Sequence, residues 1–245
     1  MGTILEIAVF NIESALTAIA AGADRIEFCE NPMEGGTTPS YGSLKTLIQK
    51  TNTPIFPIIR PRGGDFLYSD DEFDSMKSDL LLVKELGYPG AVIGLLKKDG
   101  HIDTNRTAEL VSIAGNMEIT FHRAFDRCID PLKGLEDIIH TGCKRILTSG
   151  QVPNVANALP LIADLVNNAH GKITIMPGSG VRANNISEII ASTNVKEIHS
   201  SARKNYPSSM SFSPSSMQEQ MMFTGVDQAE IIAMKKVLIA LKKDI

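Results

Sequence analysis

The sequence predicts a single domain that folds as a (β/α)8 barrel, the TIM barrel, over residues 1–245. A length of 245 residues is ordinary for one such domain. Short β-rich runs alternate with longer helical patterns, which is typical of parallel βα units. An open, doubly wound sheet would alternate in the same way, but no GxGxxG motif follows the first predicted strand. The barrel is therefore the favoured architecture.

Eight strands and eight helices are predicted in alternation along the chain. The strands are predicted at 4–9, 25–29, 55–60, 91–96, 118–122, 145–148, 172–176 and 197–200. The helices are predicted at 12–21, 41–50, 70–86, 104–114, 131–140, 155–169, 185–192 and 227–243. Eight units of each kind close a barrel of this type.

A weak internal repeat supports this count. Gly22, Gly87 and Gly142 each stand between a predicted helix and the even-numbered strand that follows it. A helix often ends with a residue in the left-handed conformation, and glycine adopts that conformation without steric cost. The repeat therefore predicts helix C-caps before strands two, four and six.

Composition excludes several classes of function. The net charge is −4, the Lys and Arg residues are scattered, Trp is absent and aromatic residues make up 5%, so neither duplex nor single-stranded nucleic acid is an expected partner. No apolar run approaches the roughly 18 residues that cross a bilayer. The three cysteines Cys29, Cys128 and Cys143 are odd in number and far apart, which indicates a reducing compartment. A cytoplasmic protein is expected.

One segment, residues 203–225, interrupts the alternation of strands and helices. It is rich in Ser, Met and Pro and is long for a loop of a compact domain. We expect an irregular excursion that serves as a lid, an oligomer contact or a partly disordered stretch. Its four methionines show no regular Met-x-x-Met spacing, so adaptable packing is favoured over copper binding.

Chemistry in a barrel of this kind collects at the carboxyl ends of the strands. The third strand is followed by Arg60, Arg62 and Asp65 around a Gly-Gly turn. Two guanidinium groups placed there are expected to clamp a carboxylate or phosphate through paired hydrogen bonds, with Asp65 as a candidate catalytic group. The alternative is an Arg–Asp network that only holds the loop.

The fifth strand ends in a second polar run. Because side chains alternate along a strand, Thr120 and His122 share one face, while Phe121 and Arg123 share the other. If the apolar face packs on the helices, His122 points into the barrel mouth. It is then a candidate general acid–base or metal ligand, with Asp126 to orient it and Arg123 to bind the ligand.

The same alternation predicts which residues of three other strands face inward. On strand two these are Glu27, a candidate catalytic carboxylate, and Cys29. Strand one turns Glu6 and Ala8 inward, and strand eight turns Glu197 and His199 inward, with His199 as a candidate ligand-binding residue. Acids, Arg and His together suit acid–base work on a small polar ligand.

Two glycine-containing turns are typical of anion cradles. Thr148 and Ser149 precede a glycine after strand six, and Gly178, Ser179 and Gly180 follow strand seven. Exposed backbone N–H groups in such turns bind phosphate readily. A Gly-Ser-Gly turn is common in barrels, so the motif alone is modest evidence.

Long and unusual runs in these segments resemble the CutC family, which is named for copper homeostasis. The similarity extends from Glu6 to about Arg203. The runs that carry it are Glu34-Gly-Gly-Thr-Thr-Pro-Ser40, Ile59-Arg-Pro-Arg-Gly-Gly-Asp-Phe-Leu-Tyr-Ser69, Thr120-Phe-His-Arg-Ala-Phe-Asp126, Leu147-Thr-Ser-Gly150 and Met176-Pro-Gly-Ser-Gly180. The resemblance implies a TIM barrel, a cytoplasmic homodimer or larger homo-oligomer, and binding of copper(I).

The copper site that the resemblance implies is a pair of inward cysteines near the ends of strands one and two. Cys29 matches the second position, but Ala8 stands at the first. Adjacent strands lie about 4.8 Å apart, a span that two thiolates bridge through a linear ion. Cys29 is therefore a candidate metal ligand that lacks a second thiol, unless Met33 or His199 completes the site. The favoured interpretation is that Cys29 is a small buried residue of the core.

Two hypotheses for the function follow. One is a cytoplasmic copper-homeostasis protein that binds copper(I) through Cys29. The other is an enzyme that uses acid–base chemistry on a small phosphorylated or carboxylated metabolite, with arginines to hold the anion. A scaffold without chemistry explains the polar strand ends least well.

Overall fold

The structure is a computed structural model that describes residues 2–214, 216–218 and 221–243. Ten strands are present in the described residues. They are β1 (Ile4–Val9), β2 (Arg25–Phe28), β3 (Ile55–Pro57), β4 (Gly90–Ile93), β5 (Glu118–Phe121), β6 (Arg145–Thr148), β7 (Thr174–Pro177), β8 (Glu197–Ser200), β9 (Arg203–Pro207) and β10 (Met222–Val226).

Eight α-helices accompany these strands in the described residues. They are α1 (Ile12–Ala20), α2 (Tyr41–Ile48), α3 (Asp70–Glu85), α4 (Thr104–Ala114), α5 (Pro131–Thr141), α6 (Leu159–Ala169), α7 (Ile186–Thr193) and α8 (Gln228–Lys243). Short 3-10 helices lie at Pro32–Glu34, Arg123–Arg127 and Val155–Asn157. The sequence predicts one helix over 155–169. In the structure the start of this range is the third 3-10 helix, which is separate from α6.

The first eight strands form the predicted parallel barrel. Hydrogen bonds join them in two arcs, β3-β2-β1-β8 and β4-β5-β6-β7. A parallel bridge between Ile58 and Val92 connects β3 to β4, and β7 lies beside β8. The (β/α)8 fold predicted from the sequence is confirmed.

Alternation along the strands sorts the side chains between two cores. Outward residues such as Ile26, Phe28 and Phe121 join the large core between the barrel and its helices. Inward residues, Cys29 and Phe56 among them, form a smaller cluster inside the barrel. This period-2 pattern is what turns Glu27 toward the interior, as predicted.

The repeated glycines have the conformation that the sequence predicts. The φ angles of Gly22, Gly87 and Gly142 are +100°, +85° and +90°. All three lie in the left-handed region at a helix end, where a side chain would be strained.

The segment 203–225, expected to be an irregular excursion, forms strands at its two ends. Strands β9 and β10 pair as an antiparallel hairpin, in which Tyr206 stacks on Phe223 with ring centroids 5.6 Å apart. Asn11 donates a hydrogen bond to Thr224 O at 3.0 Å and so ties the hairpin to the barrel. Residues 215, 219 and 220 of the segment lie outside the described residues. Aromatic packing and this contact stabilise strands whose composition gives little β signal.

Candidate active site

A cavity of about 840 Å³ opens at the carboxyl ends of the barrel strands. Among the described residues, seven Lys or Arg but four Asp or Glu side chains line it, although the whole chain carries a net charge of −4. A cavity whose walls have a low dielectric constant and carry charges mainly of one sign attracts ions of the opposite sign. The cavity therefore suits a small anion.

Three residues from neighbouring strands meet at the floor of this cavity. The pairing of β1 with β8 sets Glu6 opposite His199, and the pairing of β1 with β2 sets Glu27 opposite Ala8. His199 Nδ1 lies 2.8 Å from Glu6 Oε1, and His199 Nε2 lies 3.7 Å from Glu27 Oε2. Glu6 thus orients the imidazole, and the other ring nitrogen faces the carboxyl of Glu27.

Burial and neighbouring charges separate the pKa values of these groups. Burial raises the pKa of the Glu27 carboxyl to about 7, with His199 opposing part of that rise. Although burial acts in the other direction, Arg25 and the hydrogen bond from His199 lower the pKa of Glu6 to about 2. Against its own burial, the hydrogen bond to Glu6 and the charge of Glu27 raise the pKa of His199. Glu27 is thus poised to titrate near neutral pH.

Below this floor the barrel holds a second set of charges. Arg25 forms ion pairs with Glu6 and Glu197, and Arg145 Nε lies 2.8 Å from Glu197 Oε2. Both guanidinium groups contact the ring of Phe56, with their carbon atoms 5.2 Å and 5.3 Å from its centroid. All of these polar groups are buried and paired, so the set fixes the position of Glu6.

His122 faces the cavity as predicted, but its chemistry differs from the predicted acid–base role. The backbone N–H of Ala124 donates to Nδ1 at 3.0 Å, which places the ring proton on Nε2. Burial, with the charges of Arg60 and Arg123, lowers the pKa of His122 to about 3. The ring is therefore a neutral N–H donor at physiological pH. Its Nε2 is buried and has no hydrogen-bond partner among the described residues.

Asp126 lies in the 3-10 helix after β5 and its carboxylate reaches into the turn after β6, so the predicted role of orienting His122 is wrong. Its carboxylate accepts hydrogen bonds from Thr148 Oγ1 at 2.6 Å, from Ser149 N at 2.9 Å and from Ser149 Oγ at 2.9 Å. Arg123 Nε donates to the same group at 2.7 Å. The predicted anion cradle at Thr148 and Ser149 thus holds an anion of the protein itself. Its effect is to fix Arg123, whose side chain is 44% exposed at the cavity wall.

Arg123 also departs from the predicted alternation. A 3-10 helix begins at this residue and ends the extended backbone of β5. As a result His122 and Arg123 both line the cavity, instead of pointing to opposite faces.

Arg60 and Arg62, predicted to clamp an anion together, mainly contact groups of the surrounding loops and the helix that follows. Arg60 lines the cavity, but it donates to the carbonyl oxygens of Gly36 and Gly64 at 2.8 Å and 3.0 Å. Arg62 lies outside the cavity lining, and its Nε is 2.5 Å from Glu72 Oε1. Asp65 lines the cavity and pairs with Arg62 at 2.9 Å. The two guanidinium groups therefore do not form a joint clamp on the cavity.

The predicted cradle after β7 divides into two parts. Ser179 and Gly180 line the cavity. Gly178 lies behind it, where a Cβ atom would come within 2.6 Å of Leu147 Cδ1 and 3.1 Å of His199 Cδ2. Glycine at this position is what allows His199 its place at the floor.

Sequence reasoning missed three arginines of the cavity lining, Arg127, Arg182 and Arg203. Arg182 and Arg203 follow β7 and β8 along the chain, in the loops where TIM barrels often bind phosphate. That position in the chain is a usable signal. It is easily overlooked because Arg182 stands beyond the Gly-Ser-Gly motif and Arg203 begins the segment expected to be irregular.

The residues around Cys29 do not fit a two-thiolate copper(I) site. Ala8 lies on the adjoining strand, and Met33 is 89% exposed and outside the cavity lining. His199 is engaged by Glu6 and Glu27. Burial and the nearby carboxylates raise the pKa of the Cys29 thiol well above its ordinary value, which opposes the thiolate that soft ions require. Within the described part of the chain, no group of three or more His, Cys, Asp or Glu residues is arranged to hold a metal ion.

Comparison with known proteins decides the family. The model of the CutC family matches residues 3–204. The chain belongs to the CutC family. CutC family proteins of Proteus mirabilis and Erwinia tasmaniensis are 50% and 44% identical to it; the matches cover 85% and 96% of this chain and 82% and 96% of those proteins.

Solved structures agree with the fold. CutC from Streptococcus agalactiae superposes with a TM-score of 0.77 at 34% identity, over 81% of this chain and 98% of that one. Phosphoribosylanthranilate isomerase from Thermotoga maritima gives a TM-score of 0.61 at 12% identity, over 97% of this chain and 99% of that one, which supports the barrel fold alone. Over the described residues, no helix combines the length and apolar character needed to cross a membrane.

Proposed function

We propose that this CutC family member is an enzyme that transfers protons on a small anionic metabolite, with Glu27 and His199 as its acid–base pair. The proposal is supported chiefly by the contacts of His199 with Glu6 on one side and Glu27 on the other, at the floor of a cation-rich cavity. Catalytic acids and bases work best when their pKa lies near the operating pH, and Glu27 meets that condition.

The reaction class that fits these groups is proton transfer at a carbon next to a carbonyl. The carboxylate of Glu27 removes the proton, and the electron pair of the broken C–H bond moves to the carbonyl oxygen as an enolate. His199, held by Glu6, donates its Nε2 proton to that substrate oxygen. The guanidinium of Arg123 at the wall stabilises the negative charge that develops.

The titration of Glu27 sets the expected dependence on pH. Only the ionised carboxylate accepts a proton, and the pKa of Glu27 is raised to about 7 by burial. The rate of proton abstraction therefore falls as the pH drops below about 7. His122 stays neutral through this range, because burial holds its pKa at about 3.

Solvent exchange tests the proposal although the substrate is unidentified. The protein is incubated in D2O with a pool of phosphorylated and carboxylated metabolites, and mass spectrometry records which compounds gain one deuterium. We expect at least one compound to gain deuterium, and Glu27→Gln to slow that exchange by about 10²–10⁴-fold.

Two variants serve as controls for this experiment. Glu34→Gln removes another carboxylate of the cavity lining, and Lys98→Gln removes a cation of the same lining. Both should retain exchange. Absence of deuterium uptake from every compound of the pool, or equal uptake with Glu27→Gln, would contradict the proposal.

Copper homeostasis enters through the name of the Streptococcus agalactiae relative. In this chain the role would rest on Cys29 alone, with Ala8 in place of a second thiol. No contact of the described residues favours copper over a small anion, so the acid–base enzyme is the function that we propose.

A further inference from the structure

Two arginines converge on one wall of the cavity, beside the proposed acid–base pair. Arg182 follows β7, and Arg203 begins β9 four positions after His199. Across the described ranges, neither guanidinium has a carboxylate within salt-bridge distance. By contrast, Arg60 donates to the carbonyl oxygens of Gly36 and Gly64, and Arg123 pairs with a carboxylate. Arg182 and Arg203 therefore carry charges that no carboxylate of the described residues pairs with.

The contacts of Arg203 hold its guanidinium in place without neutralising it. The group stacks 4.8 Å from the ring centroid of Phe10 and donates one hydrogen bond to Pro32 O at 3.3 Å. Desolvation, together with the like charge of Arg182, lowers the pKa of Arg203. Two like charges are held near each other, and an anion between them would relieve the repulsion.

The turn between β7 and α7 approaches the cavity beside these arginines in a strained form. Ser179 has a φ of +77°, a conformation that is strained for a residue other than glycine. Its hydroxyl donates to Pro153 O at 2.6 Å, and its carbonyl oxygen accepts from Val155 N at 3.0 Å. Asn185 Nδ2 donates to Gly180 O at 2.9 Å. The turn is therefore fixed before any ligand binds.

We infer that Arg182 and Arg203, with the turn at Ser179 and Gly180, bind the phosphate group of a phosphate monoester. A phosphate carries about −1.5 to −2 charges and three acceptor oxygens, which two guanidinium groups match better than one carboxylate does. The rest of the ester then lies over Glu27, so the proposed substrate is a phosphorylated carbonyl compound. This inference rests on the proposed function for the chemistry, but the phosphate subsite is testable alone.

Inorganic phosphate is the probe. Isothermal titration calorimetry at constant ionic strength measures its affinity for the wild type, Arg182→Gln, Arg203→Gln, Arg203→Lys and Lys98→Gln. Lys98 also lines the cavity, at the β4 side, so Lys98→Gln removes one charge without touching the subsite. We expect binding to weaken at least tenfold in both Gln variants of the arginines. Arg203→Lys should weaken it as well, because lysine lacks the planar fork, and Lys98→Gln should change it less than about twofold.

The outcomes separate the subsite from the proposed chemistry. No phosphate binding by the wild type, or equal weakening in Lys98→Gln and the arginine variants, would overturn the subsite. Glu27→Gln should keep the wild-type phosphate affinity, since its carboxyl lies at the floor. Phosphate binding without deuterium exchange on any compound would contradict the chemistry and leave the subsite standing. Deuterium exchange confined to carboxylated compounds would support the chemistry and contradict the phosphate subsite.

Discussion

Two layers of charged side chains fill the barrel, and they differ in how their charges are paired. In the lower layer, Arg25 contacts both Glu6 and Glu197, and Arg145 lies 2.8 Å from Glu197. In the upper layer, the side chain that faces Glu27 is His199, whose Nε2 lies 3.7 Å away, beyond hydrogen-bond distance. Complete pairing fixes charge in place, whereas the incomplete pairing above leaves a proton free to move. The lower layer is structural, and the upper layer is suited to chemistry.

The largest expected effect comes from breaking the link between the layers. Glu6→Gln removes the buried carboxylate that Arg25 and His199 share, leaves Arg25 with Glu197 alone, and should lower the free energy of unfolding by about 3–5 kcal/mol. Glu118→Gln is the matched control, because Glu118 also pairs with a buried arginine but its side chain is 51% exposed. Its expected cost is about 0–1 kcal/mol. Urea unfolding of both variants measures the difference, and equal costs would refute the structural role of the lower layer.

A smaller effect tests the position of His199 in the upper layer. Gly178→Ala introduces a Cβ 2.6 Å from Leu147 Cδ1 and 3.1 Å from His199 Cδ2, so it should cost about 1–3 kcal/mol and displace the imidazole. Gly42→Ala is the control, since nothing lies within 4 Å of its added Cβ. Thermal unfolding and deuterium exchange should both be impaired in the first variant alone. Unimpaired exchange in Gly178→Ala would show that the position of His199 does not matter.

The parts of the structure that follow from local pattern could be predicted from the sequence. The barrel, the three glycine C-caps and the inward direction of Glu27 and His199 depend on alternation along single strands or helices. Each needs information from only a few neighbouring residues. These expectations are confirmed by the structure.

Partners across the barrel could not be predicted in the same way. Alternation indicates that Glu6 and His199 both face inward, but their pairing depends on the register of strands 193 positions apart. The turn after β6 has the composition of an anion cradle, yet Asp126 reaches it from a 3-10 helix that the strand pattern does not indicate. The hairpin of β9 and β10 has no clear signal in the sequence because its stability comes from aromatic stacking and contact with α1.

Glu27 is expected to titrate near neutral pH, and a direct titration tests this expectation. Carbon-13 NMR of glutamate-labelled protein follows the side-chain carboxyl signals from about pH 4 to pH 9, and the Glu27 signal is the one absent from Glu27→Gln. Because burial raises its pKa, the signal should move with a midpoint near pH 7. A midpoint near the ordinary value of 4.5 would contradict the account, since Glu27 would then be a plain buried carboxylate with no proton to exchange near neutral pH.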